Sequence, residues 1–225
     1  MNPTWPLALR RQVQVLLDQF LAGGGNAWIG VAGIERFGLG QRFPSTLRAG
    51  GRLEALGDRP LARAFVWIQG TDAELWVDPA DAGYRDLYDA FARAHLGLPG
   101  RPAGAGFNID HVFPKAAGVL DGLSHVRVLA IGESGNQAAG RTVEKVMKRR
   151  AEGAPSGKVV RHATWMTIGK AAGFDGWEAL PDDTSPAANV AAVRRLFGHL
   201  AAMGITAPLG VLEQRLTAHS LTRIH

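Results

Sequence analysis

No apolar run in this chain is long. The longest, Ala27–Ile34 and Val126–Gly132, fall far short of the about 18–20 residues a bilayer span needs. Glycine, proline or charge cuts each one, with 29 Gly and 12 Pro supplying the turns. Such short runs suit buried strands and short helices stacked around a core. The 225 residues fit one large domain or two small ones. A chain of that size buries about 70% of its unfolded surface, so it needs no covalent staples. None are available, because it has no cysteine. That excludes disulfides, thiolate zinc sites, iron–sulfur clusters and a cysteine nucleophile.

Periodicity and punctuation divide the chain into three regions. Pro6–Leu21 reads as a helix, with Leu7, Leu9, Val13, Leu16, Leu17 and Phe20 on its apolar face, ended by three glycines. Ala27–Val31 reads as a strand and 33–60 as mostly loop. Ala64–Gln69 and Glu74–Val77 read as two strands joined by Gly70-Thr71-Asp72, and Asp81–Leu96 as a helix. Gly97–Gly106, with two prolines and four glycines, reads as a boundary. After it come strands over Phe107–Val112 and Val126–Ile131, separated by a loop over Phe113–Ser124. A turn over Gly132–Gly135 and a helix over Asn136–Glu152 follow. Val159–Ala172 is ambiguous, and Pro186–Met203 and Leu209–Ala218 read as helices. The expectation is an α+β protein. Its regions are 1–100, supporting or targeting; 104–152, compact; and 153–225, mainly helical.

Charge is concentrated. Between Arg141 and His162 lie seven basic and two acidic residues, a surplus equal to the +5 of the whole chain. A patch of that kind suits a polyanionic partner such as nucleic acid, while a solvated helix face is the plainer alternative. Arg141, Lys145, Lys148 and Arg149 form a stripe, with Val143, Val146 and Met147 free to face the core. Glu144 is spaced to pair with Lys148.

The chemistry-bearing stretch is Asn108-Ile109-Asp110-His111-Val112-Phe113-Pro114-Lys115, followed by a strand and Asn136-Gln137-Ala138-Ala139-Gly140-Arg141. A strand–loop–strand–helix unit gathers Asp110, His111 and Asn136 around one small cavity. Asp and Asn oxygens are hard ligands that suit Mg²⁺ with several waters retained. A histidine can take a proton from water near neutral pH. Singly, each residue has another reading. Asp110 could cap a turn, Asn136 could cap a helix, and His125 could be a packing histidine. Lys115 and Arg127 could contact phosphate or remain solvated. Gly135–Thr142 follows the P-loop spacing but puts Arg141 where that loop needs lysine, which argues against a nucleoside triphosphate. Of the six tryptophans, Trp67 and Trp76 fall on strands and read as core, whereas Trp165 could stack on a base.

Asp110-His111-x-x-Pro114-Lys115, a strand, then Asn136-x-x-x-Gly140-Arg141 resembles the HNH or His-Me finger (ββα-metal) nucleases. The resemblance covers about residues 107–150. It implies a ββα-metal finger in which Asp110 and Asn136 hold Mg²⁺ or Mn²⁺ and His111 is the general base. A middle residue, usually Asn, steadies that base, and His125 stands near its place. The resemblance implies an endonuclease leaving a 5′-phosphate, on DNA in preference to RNA. Arg141, Lys145, Lys148, Arg149 and Lys115 would be the nucleic-acid contacts. Relatives of this kind include toxins, so a toxin-type effector with a cognate immunity protein is one expectation. An inactive finger that binds nucleic acid or protein is another. Arg10, Arg11 and Asp18 interrupt any signal-peptide pattern. The expected location is therefore the bacterial cytoplasm, or a target cell reached without a classical signal peptide, with no membrane partner.

Overall fold

The computed structural model describes residues 7–22, 51–102, 106–153, 165–179, 186–205 and 210–211. The strand expected over Ala27–Val31 lies outside them, as does most of the helix expected over Leu209–Ala218.

An α+β architecture is present. In chain order it comprises α1 (Leu7–Ala22), β1 (Arg52–Ala55), β2 (Ala64–Gln69), β3 (Asp72–Val77) and α2 (Tyr84–His95). Then come β4 (Phe107–His111), α3 (Lys115–Leu120), β5 (Val126–Gly132), α4 (Glu133–Arg141) and α5 (Val143–Gly153). The last elements are α6 (Trp165–Ala171), a 3-10 turn (Gly176–Ala179) and α7 (Pro186–Ala202). The strands form one antiparallel sheet in the order β1-β2-β3-β5-β4. The sheet is continuous across the Gly97–Gly106 boundary, because Leu75, Trp76 and Val77 of β3 pair with Val128, Arg127 and Val126 of β5.

Local chemistry explains the element ends. β2 and β3 meet at Gly70-Thr71, with Gly70 at φ 60°. A glycine at the first loop position is what a type II′ hairpin turn requires. α2 starts three residues later than its apolar pattern implies. The Asp78 carboxylate accepts from the Ala80 N–H (2.8 Å) and the Asp81 carboxylate from the Gly83 N–H (2.7 Å), so two successive side-chain turns precede the helix.

Three expectations are corrected. β1 falls inside the stretch read as loop, where its exposed edge position gives a weak apolar signal. α3 falls inside Phe113–Ser124. It starts after Pro114 and buries Ala117 and Gly118, the latter close to Pro79 and Val126. The helix expected over Asn136–Glu152 starts earlier, at Glu133, and is broken at Thr142, whose ψ is −94°. Asn136 is therefore an interior helical residue and not an N-cap.

The core joins Leu9, Leu16 and Leu17 of α1 to Leu75 and Val77 of β3, Tyr88 and Phe91 of α2, and Val128 and Ile131 of β5. It extends to Trp177 and to Leu196 and Leu200 of α7. Trp67 and Trp76 are buried, as expected.

Gly135 explains the entry of α4. A Cβ there would fall inside the van der Waals envelope of the Gly173 backbone, just after α6. The glycine read as a turn signal thus lets two segments touch. Gly135→Ala should destabilise by about 1–3 kcal/mol, the usual cost of overpacking. Gly198→Ala, on an exposed and open position of α7, should stabilise by about 0.5–1 kcal/mol. Urea unfolding of both variants checks the pair.

Candidate metal and hydrolytic site

β4 ends on Asp110 and His111, which pair with Leu129 and Val128 of β5. At the other end of β4, Phe107 pairs with Gly132, and the Glu133 N–H donates to the Gly106 carbonyl at 2.8 Å. β5 therefore runs directly into α4, and α4 packs on both β4 and β5. α4 also packs on α6, the helix that carries Lys170.

Lys170 is the centre of the charged cluster. Its buried ammonium lies 3.1 Å from Asp110 Oδ2, 2.5 Å from Glu144 Oε1 and 2.6 Å from the His111 carbonyl oxygen. Three N–H donors thus face three oxygens. Asp110 Oδ1 accepts from the His111 backbone N–H at 2.8 Å. Burial pushes the Asp110 carboxyl up, but the Lys170 ammonium, the nearby His111 imidazole and the His111 backbone N–H outweigh it. The net effect holds Asp110 well below the usual carboxylate range. Burial likewise pushes the Lys170 ammonium down, and Glu144 and Asp110 reverse that, leaving it raised.

The His111 ring is fully buried against the Tyr84 ring of α2, with centroids 4.6 Å apart. Its Nδ1 is 3.6 Å from Asp110 Oδ1, beyond hydrogen-bond distance, and neither ring nitrogen has a hydrogen-bond partner among the described residues. Asn136 Oδ1 is also buried and without a partner there. Buried polar atoms are nearly always satisfied, so these three are exceptions, as is Gln12 Nε2 of α1 elsewhere in the core. Burial raises the Tyr84 hydroxyl, and Asp110 adds to the effect, so that group stays protonated.

Several expectations change here. His125 does not steady His111. Its Nε2 lies 2.9 Å from the Leu61 carbonyl and its ring packs edge-on to Phe65 at 4.8 Å, whereas His111 is contacted by Tyr84, Asp110 and Lys170. Glu144 pairs with Lys170, and Lys148 pairs with Glu152 instead (3.5 Å). Arg127 is neither solvated nor at a phosphate-accessible surface. It is buried, 3.7 Å from Glu74 and hydrogen-bonded to Gln19 at 3.2 Å, and Trp76 donates to the same Glu74. Arg141, Lys145, Lys148 and Arg149 are exposed, and Lys115 is half-buried. The side chain of Trp165, and the basic residues Lys158 and Arg161, lie outside the described residues.

Sequence reading missed Lys170, Glu144 and Tyr84 as parts of this cluster. Lys170 sits in an ambiguous stretch, and Tyr84 lies within the expected Asp81–Leu96 helix with nothing in the sequence to mark it. Only the fold brings them to Asp110-His111.

Asn136 and Asp110 carry hard oxygens, and both Asp110 oxygens are already engaged, Oδ1 by the His111 N–H and Oδ2 by Lys170. Asn136 Oδ1 is an uncommitted hard oxygen, and Asp110 is held ionised. Among the described residues no group of three or more His, Cys, Asp or Glu side chains is placed to hold a metal. Also among the described residues, no helix is long and apolar enough to cross a membrane. No protein-family model, curated protein or solved structure matches the chain.

The buried cluster generates a stability prediction. Lys170→Met leaves Asp110 and Glu144 desolvated without their cation and should cost about 3–5 kcal/mol. Asp110 has a folded pKa below its unfolded one. Its contribution is complete above about pH 3.9 and is lost as pH falls toward the lower folded value. Urea midpoints taken on acidification below about pH 4 should therefore fall more steeply in the native chain than in Asp110→Asn.

Proposed function

We propose that this chain is a metal-dependent endonuclease that hydrolyses phosphodiester bonds, DNA in preference to RNA, through a site of the ββα-metal type. One observation carries the reading. An antiparallel strand pair closes on Asp110-His111 and runs directly into a helix, with orphaned polar atoms on His111 and Asn136.

Asp110 and Asn136 would hold Mg²⁺ or Mn²⁺. The ion would supply Lewis-acid stabilisation of charge on the phosphate and the leaving oxygen. His111, with no hydrogen bond on either ring nitrogen, would accept the proton of the attacking water. Lys170 holds Asp110 ionised and, through the His111 carbonyl, fixes the backbone that presents the imidazole. Tyr84 packs against that imidazole and limits its rotation. Arg141 at the end of α4 and Lys145, Lys148 and Arg149 on α5 supply exposed basic side chains, suited to a phosphate backbone and not to base reading.

A second reading is favoured by one observation. Among the described residues no side chain orients the His111 ring by a hydrogen bond, as a base histidine is usually oriented. A finger that binds nucleic acid without cutting it would show this arrangement.

Purified protein incubated with supercoiled plasmid separates the two. The nuclease reading expects nicking that requires Mg²⁺ or Mn²⁺, stops with EDTA, and falls by at least about 100-fold in His111→Ala and Asn136→Ala. Salt-dependent binding without nicking, by folded native protein on DNA and on RNA, would leave the binding module.

A further inference from the structure

Two cations converge on the tyrosine that covers His111. Arg85 Cζ lies 4.6 Å from the centroid of the Tyr84 ring, and Lys115 Nζ lies 5.7 Å from the same centroid. They come from different elements, the first turn of α2 and the first residue of α3. Held against one ring, the two charges lie within about 10 Å of each other, so their fields overlap at ordinary ionic strength.

Neither cation has a carboxylate partner among the described residues, although carboxylates are close in sequence. Asp81 is taken by Arg63 at 2.8 Å. Asp86 and Asp89 are both taken by Arg101, at 3.1 and 2.7 Å. The acids around α2 are thus committed to other arginines, which leaves Arg85 beside Tyr84 with its planar fork available. Asp110, the carboxylate nearest this group on β4, is bound by Lys170.

We propose that Arg85 and Lys115, set against the Tyr84 ring, form a phosphate subsite beside His111. It would bind a backbone phosphate of the nucleic-acid substrate. The proposal rests on the nuclease reading for the identity of the anion. An arginine fork can meet two phosphate oxygens at once, while lysine acts as a compact charge beside it. The subsite draws on α2, outside the β4–β5–α4 unit. Substrate would therefore be held across the continuous sheet and not by the finger alone.

The test is binding of a short fluorescein-labelled DNA duplex in EDTA, followed by anisotropy from about 50 to 200 mM salt. Native protein is compared with Arg85→Gln, Lys115→Gln and, as a control on an exposed loop, Arg59→Gln. Each lost phosphate contact should reduce the slope of log K against log salt by about 0.9, which is about 8-fold in affinity at 0.1 M. The expected result is that loss in Arg85→Gln and in Lys115→Gln, roughly additive in the double variant, with Arg59→Gln unchanged. Unchanged slopes in the two folded variants would overturn the proposal, and so would an equal loss in Arg59→Gln. Plasmid nicking by the native protein is scored separately. Nicking with unchanged slopes sinks the subsite and leaves the nuclease. Reduced slopes without nicking sink the nuclease and leave a phosphate-binding subsite.

Discussion

The Lys170 ammonium is the contact on which the candidate site depends. It joins three segments distant in sequence: the end of β4 through Asp110 and the His111 carbonyl, the first turn of α5 through Glu144, and α6 itself. Removing these charges from water is expensive, and only close pairing offsets it. The arrangement therefore tolerates little displacement of any member. That rigidity fixes the strand end on which Asp110 and His111 sit. The acidic partners keep Lys170 charged, and Lys170 keeps Asp110 ionised, so each charge state supports the other.

Around this contact the sheet and helices act as a frame. β5 is buried along its whole length and pairs with both β3 and β4, so the Asp110-His111 strand is tied to the N-terminal hairpin. α4 leaves β5 without a loop, packs on β4 and β5, and meets Gly173 closely through Gly135, which brings α6 within reach. α2 closes the His111 side with Tyr84. A second buried network, Glu74 with Gln19, Trp76 and Arg127, ties α1 to the middle of the sheet by the same kind of desolvated polar contact.

Much of this frame was legible in the sequence where one physical signal dominated. Alternating or continuous apolar runs located β2, β4 and β5 to within a residue or two, and helical periodicity located α1 and α7. Reading failed where local and tertiary causes diverge. Gly135 looks like a turn because glycine breaks helices, yet it is helical because Gly173 approaches it. α2 begins late because aspartate side chains compete for its first N–H groups. For the site, the Asp-His pair and Asn136 stand out by residue type and spacing. Lys170, Glu144 and Tyr84 do not, because nothing in a linear pattern marks which lysine is buried. His125 was misjudged for a similar reason, since position in the motif could not reveal that Leu61 and Phe65 hold it.

The proposed divalent-cation site of Asp110 and Asn136 would lie beside the ion cluster anchored by Lys170. Anomalous diffraction from crystals soaked in Mn²⁺ tests it most directly. The account predicts a manganese peak bonded to Asp110 and Asn136 oxygens, with the Lys170 contacts to Asp110 and Glu144 intact. No peak at these residues, or a peak that displaces Lys170 to bind Asp110 with Glu144, would contradict it.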